Sequence, residues 1–190
     1  DLELEFHGHD DLGLATANTL ASVRGGATHA SVCVLGLGER AGNAALEEVV
    51  TGLRETQRRT TGVALERLTG LAHLVAEAAR RPIPESKSIV GGSVFAHESG
   101  IHVSGLLRDA GTYEALDPAA FGRERTIVLG KHSGSAAIGS MLRSIGLESD
   151  HQRITTILAE VRAHAISQKR AVSVIELAAM HAATAHGGLQ

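Results

Sequence analysis

The hydrophobic period near the start of the chain switches repeatedly between that of a strand and that of a helix, and this switching constrains the fold more than any other feature. Leu2, Leu4 and Phe6 alternate with Glu3, Glu5 and His7, the period-two pattern of a strand. Leu14, Ala17, Leu20 and Ala21 then fall at helical spacing until Gly25-Gly26 ends the run. Residues 30–35 read as a second strand leading into GLGERAGN. After Asn43, a good helix cap, Leu46, Val49, Val50 and Leu53 stand at i, i+3, i+4 and i+7, with Glu47 and Glu48 favourably placed in the first turn. Strand, helix, strand, helix with short connections argues for parallel βα units in an α/β fold.

The pattern then changes. Residues 65–79 form one amphipathic helix on Leu68, Leu71, Ala72 and Val75, stopped by Arg80-Arg81-Pro82 and Pro84. A looser, glycine-containing stretch follows over 89–134, holding FAHESGIHVSG, Tyr113 and LGKHSG. Three helices come last: 135–145, one from Ser149 with a Ser-x-x-Gln cap, and one from Ser173 with a Ser-x-x-Glu cap. The expected division is 1–61, then a linker subdomain at 62–134, then a helical C-terminal subdomain at 135–190.

Composition removes several function classes. With 190 residues, 43% of them hydrophobic, the chain can bury a sizeable core. Eighteen basic against 21 acidic side chains, net −3, leave no basic block for a phosphate backbone, so nucleic acid is a poor partner. The longest apolar run, residues 30–37, is far too short for a bilayer, and a cytoplasmic protein is expected. Cys33 is the sole cysteine, which rules out an intrachain disulfide and any Cys-rich zinc site, so a metal would be held by imidazole and oxygen. There is no Met at the start, and LELEFHGH reads as mid-fold strand, so an upstream part is expected.

The chemistry-bearing residues fall in three places. On a strand, i and i+2 share a side, so His7 and His9 present two imidazoles a few ångströms apart, a geometry suited to one divalent ion; two separate polar contacts are the alternative. Asp10 and Asp11, next along, suit a helix cap or a supporting role equally well. GLGERAGN spaces its glycines as G-x-G-x-x-x-G, one residue longer than the dinucleotide fingerprint, and no G-K-[ST] follows, so a nucleotide loop is rejected. As a strand-to-helix loop it would bring Glu39, Arg40 and Asn43 to the same end of the sheet as the histidines; a plain turn is the alternative. In FAHESGIHVSG, His97 and His102 lie five residues apart and share no face of a regular element. A loop histidine can exchange protons near neutral pH, with Tyr113 eleven residues on as an assistant. Lys131, His132 and Ser133 precede a helix start, where Ser133 is expected as a simple cap.

HGHDDLGLATAN, GLGERAGNAALEE, FAHESGIHVSGLL, TYEALDPAAFG and LGKHSG, in this order, resemble the homocitrate synthase and isopropylmalate synthase group of the DRE-TIM metallolyases. The HDD wording, VFAHESGIHV and RAHAISQKRAVS look most like homocitrate synthases of the nitrogen-fixation type. The resemblance implies that residues 1 to about 60 are the last two βα units of a TIM (β/α)8 barrel, followed by small, mainly helical C-terminal subdomains. It implies a Claisen-type condensation of acetyl-CoA with a 2-oxo acid, 2-oxoglutarate in homocitrate synthase, assisted by a divalent metal ion (Zn, Mn or Mg) that polarises the keto carbonyl. His7 and His9 match the metal-binding pair, Asn43 a residue close to the metal, and Glu39 and Arg40 line the site. His102 matches the catalytic histidine and Tyr113 its partner, both delivered by the C-terminal subdomain of a swapped homodimer, with His97 nearby.

The family's third metal ligand, its adjacent arginine and the glutamate that works with the histidine have no counterpart here, so the chain alone is expected to be inactive. A chain end about 80 residues after Tyr113 favours homocitrate synthase over isopropylmalate synthase, which condenses acetyl-CoA with 2-oxoisovalerate and usually carries a long regulatory domain. The reading of another class is a non-catalytic metal-binding or dimerising module.

Overall fold

The computed structural model describes residues 2–106, 109 and 114–186, and Tyr113 lies outside them. The chain divides into two compact units, Asp1–Val94 with Pro118–Arg123, and Phe95–Asp117 with Glu124–Gln190.

The first unit opens with β1 (Glu5–His7), α1 (Ala15–Arg24), β2 (His29–Ser31) and α2 (Leu46–Gln57). The two strands pair in parallel, Glu5 opposite His29, Phe6 opposite Ala30 and His7 opposite Ser31. A parallel pair needs a crossover, and α1 supplies it. Ala15, Val23, Ala44, Val49 and Leu53 form the core here, with Leu20, Ala30 and Val32 packed against them.

Three details differ from the periodicity reading. The buried face of α1 runs through Ala15, Thr19 and Val23, while Leu14 is half exposed. Thr19 can be buried because its hydroxyl donates to the Ala15 carbonyl one turn back, at 2.8 Å, which satisfies the polar group. The second strand stops at Ser31, because Leu35 adopts φ 59° inside a short 3-10 turn, Val34–Gly36, and an extended chain cannot pass through that conformation. Asn43 caps nothing: α2 begins after Ala45, without a side-chain cap bond, although Glu47 and Glu48 do occupy its first turn.

A 3-10 turn, Leu65–Arg67, leads into α3 (Leu68–Ala79), and Arg80 in the left-handed region ends it, as the Arg-Arg-Pro signal predicts. The short turn Pro118–Phe121 returns to this unit with Phe121 fully buried. Arg123 fastens it by donating from Nη1 to the carbonyls of Ile89 (3.2 Å) and Gly91 (2.8 Å).

In the second unit the stretch read as loose contains regular elements: β3 (Ala96–His97), α4 (Gly100–Leu106) and β4 (Thr126–Ile127), with β3 parallel to β4. The helices α5 (Ser135–Ser144), α6 (His151–Gln168) and α7 (Val174–His186) follow. Their core is aliphatic, with Val103, Ile138, Leu142, Ile157, Val161 and Leu177 all essentially inaccessible to solvent. The Ser173 cap is observed: Ser173 Oγ accepts from Glu176 N (3.2 Å), and the Glu176 carboxylate accepts from Ser173 N (2.8 Å), a closed capping box. The cap of α6 is Asp150 rather than Ser149, with Oδ1 accepting from Arg153 N at 2.8 Å; an ionised carboxylate is the better acceptor at a helix N-terminus. No helix among the described residues is long and apolar enough to cross a membrane.

Candidate functional site

In the first unit, β1 ends at His7, Gly8 is buried, and His9 forms an isolated antiparallel bridge with Asn43. Two backbone bonds close it, Asp10 N to Gly42 O (2.9 Å) and Ala44 N to Gly8 O (3.1 Å). The His7 and His9 rings meet edge to face with centroids 4.8 Å apart, and their Nε2 atoms lie 3.2 Å from each other. One tautomer lets these nitrogens hydrogen-bond. Two imidazole nitrogens on one tetrahedral zinc, at about 2.0–2.1 Å each, would stand about 3.3–3.4 Å apart, so the pair is spaced for a shared ion.

Asn43 stands at the same corner. Its Nδ2 donates to the Leu37 carbonyl (3.1 Å) and to Cys33 Sγ (3.3 Å), while Oδ1 is buried without a hydrogen-bond partner. His9 Nδ1 is buried and unpartnered too. Two orphaned polar atoms at one corner are each disfavoured by about 1–3 kcal/mol until something satisfies them. Gly38 makes room for this amide, since a Cβ there would come within 2.4 Å of Asn43 Nδ2.

Neither aspartate joins the histidines. Asp10 Oδ1 accepts from Ala15 N at 2.8 Å and so serves the start of α1. Asp11 pairs bidentately with Arg40, Oδ1 to Nε at 2.9 Å and Oδ2 to Nη2 at 3.0 Å, and the guanidinium holds its carboxyl below the usual range. Arg40 is thus engaged with Asp11, and Glu39 beside it is exposed. Among the described residues no group of three or more His, Cys, Asp or Glu side chains is arranged to hold a metal. What this unit offers an ion is the His7–His9 pair with the Asn43 amide oxygen near.

In the second unit His102 sits on α4, exposed to solvent, in a helix where a loop was expected. Val103 beside it is fully buried, which anchors the helix and leaves the neighbouring face outward. Tyr113 lies outside the described residues, and the Glu114 side chain next to it is largely buried. The Glu114 carboxylate accepts from His97 Nε2 (3.2 Å), from Arg125 Nε (2.5 Å) and from Arg125 Nη2. Arg125 pulls the Glu114 carboxyl below its ordinary value, burial opposes this, and His97 adds to the lowering. His97 is therefore a partner of Glu114.

The two glycine-rich motifs of this unit form one junction. Gly100 N donates to the His132 carbonyl (3.1 Å), and His132 N donates to Glu98 Oε1 (2.9 Å). Gly100 and Gly134 touch backbone to backbone, so that a Cβ on Gly100 would lie 2.8 Å from Gly134 Cα. Ser133 does not cap α5; its buried hydroxyl accepts from Gly130 N (2.9 Å), and Arg162 donates to its carbonyl (2.7 Å from Nη2). Lys131 and His132 are exposed. Sequence reasoning gave no role to Glu114, Arg125 and Arg162, although Glu114 and Arg162 stand inside the quoted stretches TYEALDPAAFG and RAHAISQKRAVS.

Residues 1–75 match the HMGL-like family, and residues 89–169 match the family described as homocitrate synthase post-HMGL domain-like. The 2-isopropylmalate synthase 2 of Caldanaerobacter subterraneus subsp. tengcongensis is 49% identical over 170 residues, 90% of this chain and 44% of that protein. The homocitrate synthase of Frankia alni is 54% identical over 142 residues, 75% of this chain and 40% of that protein. Homocitrate synthase 1 of Nostoc sp. is 43% identical over 176 residues, 93% of this chain and 47% of that protein. The chain belongs to the homocitrate and isopropylmalate synthase family. It spans less than half the length of each of these relatives. The HMGL-like match of this synthase-family chain contains His7, His9, Glu39, Arg40 and Asn43; the post-HMGL match contains His97, His102 and Tyr113.

Proposed function

We propose that this chain carries part of the active site of a cytoplasmic acyltransferase that condenses acetyl-CoA with 2-oxoglutarate, giving homocitrate and CoA, in the manner of a nitrogen-fixation-type homocitrate synthase. The β1-α1-β2-α2 run is read as the last two βα units of a TIM barrel, with His7 and His9 at the carboxyl ends of its strands, where such barrels keep their chemistry. The further division at residues 62 and 135 belongs to the same proposal. The observation that carries the reading is the convergence of the two histidine Nε2 atoms to 3.2 Å beside the unsatisfied Asn43 Oδ1, within a segment matching the HMGL-like family.

In this reading His7 and His9 hold a divalent ion, zinc, manganese or magnesium, with Asn43 close by and a further ligand from outside the described residues. A divalent ion bound there supplies Lewis-acid polarisation of a keto carbonyl. Glu39, exposed at the lip, and Arg40, held by Asp11, border the same corner. His102, exposed on α4, is read as the residue that exchanges a proton with the substrate, and Tyr113 works with it. His97 acts through Glu114 rather than on substrate. The working assembly is a homodimer with exchanged C-terminal subdomains.

The test uses the chain alone and the chain joined to the N-terminal portion of the Frankia alni homocitrate synthase. The joined protein is expected to consume acetyl-CoA with 2-oxoglutarate, and to lose both bound zinc and turnover when His7 and His9 are replaced by alanine. Turnover with 2-oxoisovalerate instead would make it an isopropylmalate synthase, the activity named for the relative aligned over 90% of the chain. An unchanged rate in the double replacement would sink the reading and leave the non-catalytic module.

A further inference from the structure

The loop between β2 and α2 holds two non-glycine residues in the left-handed region, Leu35 at φ 59° and Arg40 at φ 55°. Leucine has no side-chain oxygen with which to settle there, so its neighbours must impose the conformation. Arg40 is tied down by Asp11. Leu35 is held from α2: its N–H donates to Glu47 Oε2 at 3.0 Å.

Glu47 is only 1% exposed. Its Oε1 has no hydrogen-bond partner and lies 3.4 Å from Lys87 Nζ, which itself bonds Glu48 Oε1 at 2.6 Å. An apolar residue would pack here at lower cost than a carboxylate whose one good hydrogen bond goes to a loop amide. The position therefore makes sense for what the carboxylate orients. From Leu35 the constraint runs on through short contacts. Gly36 N donates to the Cys33 carbonyl (3.0 Å), Asn43 N donates to the Gly36 carbonyl (2.9 Å), and Asn43 Nδ2 donates to the Leu37 carbonyl. Turning Leu35 out of its conformation moves the Gly36 carbonyl that holds the Asn43 backbone and the Leu37 carbonyl that, with Cys33 Sγ, takes the Asn43 side-chain amide.

We propose that Glu47 is a positioning residue: its buried carboxylate, partnered by Lys87, clamps the Leu35 amide and thereby fixes Asn43 beside His9. The inference rests on the reading of His7, His9 and Asn43 as the metal side.

The test follows backbone amide exchange at Leu35, Asn43 and Leu53 by NMR, and zinc affinity by calorimetry, in the full chain and its E47L, E47Q and E47L/L35G variants. E47L is expected to speed exchange at Leu35 and Asn43 at least about tenfold, to leave Leu53 deeper in α2 unchanged, and to weaken zinc binding about 10- to 100-fold. E47Q, which keeps an acceptor, retains most of both. Adding L35G to E47L restores Asn43 protection and zinc affinity to within about threefold, because glycine takes φ above zero without a clamp. Unchanged exchange at Asn43 in E47L, exchange at Leu53 rising in step, or no rescue by L35G would each overturn the proposal. Absence of zinc binding by the unaltered chain would remove the metal reading, and the exchange rates would still decide the role of Glu47.

Discussion

Replacing Glu114 with alanine asks whether the segment just after Tyr113 is fastened by charge. Three hydrogen bonds converge on this carboxylate, one from His97 and two from Arg125, and its side chain is 7% exposed. A bond to an ionised group contributes about 1.5–3 kcal/mol when buried. Arg125 is 36% exposed and regains much of its hydration on release, which discounts the pair by about half. The net loss expected for Glu114→Ala is about 2–3 kcal/mol. Urea unfolding of the full chain at pH 7 measures it, and a cycle with Arg125→Ala isolates the coupling, expected at about 1–2 kcal/mol. The sign of the pH effect follows from Arg125, which lowers the folded-state pKa of Glu114 below that of the unfolded chain. Such a group contributes fully above the unfolded value of about 4.3, and its contribution is lost as pH falls through the folded value. The coupling should therefore shrink toward zero on acidification well below pH 4. Coupling under about 0.3 kcal/mol at pH 7, or coupling that persists in acid, refutes the charge fastening.

Ile138→Ala, at a fully buried position beside Leu142, Ile157 and Val161, is expected to lower the unfolding free energy by about 2–5 kcal/mol in the same urea assay. Gly100→Ala forces a methyl group to 2.8 Å from the Gly134 backbone, where no flexible side chain can yield, and should destabilise by about 1–3 kcal/mol in a thermal melt. Gly70→Ala, inside α3 with nothing within 4 Å of the new Cβ, should act in the opposite direction, raising stability by about 0.5–1 kcal/mol in the same melt. Ser173→Ala opens the capping box of α7 and should lower stability by about 1 kcal/mol, with a matching loss of helical circular dichroism on heating.

Much of the architecture was legible in the order of residues. The helical spacing through Leu46, Val49, Val50 and Leu53 announced α2, Ser173 with Glu176 announced the start of α7, and the alternation through Leu2, Leu4 and Phe6 announced a strand of which only Glu5–His7 forms, Leu2 and Leu4 being exposed ahead of it. The same alternation anticipated that His7 and His9 would share a side, and their Nε2 atoms do meet. Other expectations failed for identifiable reasons. Thr19 went inside because a hydroxyl bonded to its own helix is no longer polar toward its surroundings, and Asn43 is not the cap because α2 begins only after Ala45, while the Asn43 Nδ2 is held by Leu37 and Cys33. Helix α4 was hidden by its glycines, of which Gly100 packs closely against Gly134.

Period, capping and turn residues act over a few neighbours, so one-dimensional order is enough to determine where the chain extends, coils and stops, and which imidazoles stand side by side. Which carboxylate meets which cation is another matter. Lys87 reaches Glu47 and Glu48 from some forty positions away, Arg125 and His97 both close on Glu114, and Arg162 on α6 holds the Ser133 carbonyl. Those pairings form only once the chain has closed on itself, because a buried charge is tolerable only beside the partner that folding delivers.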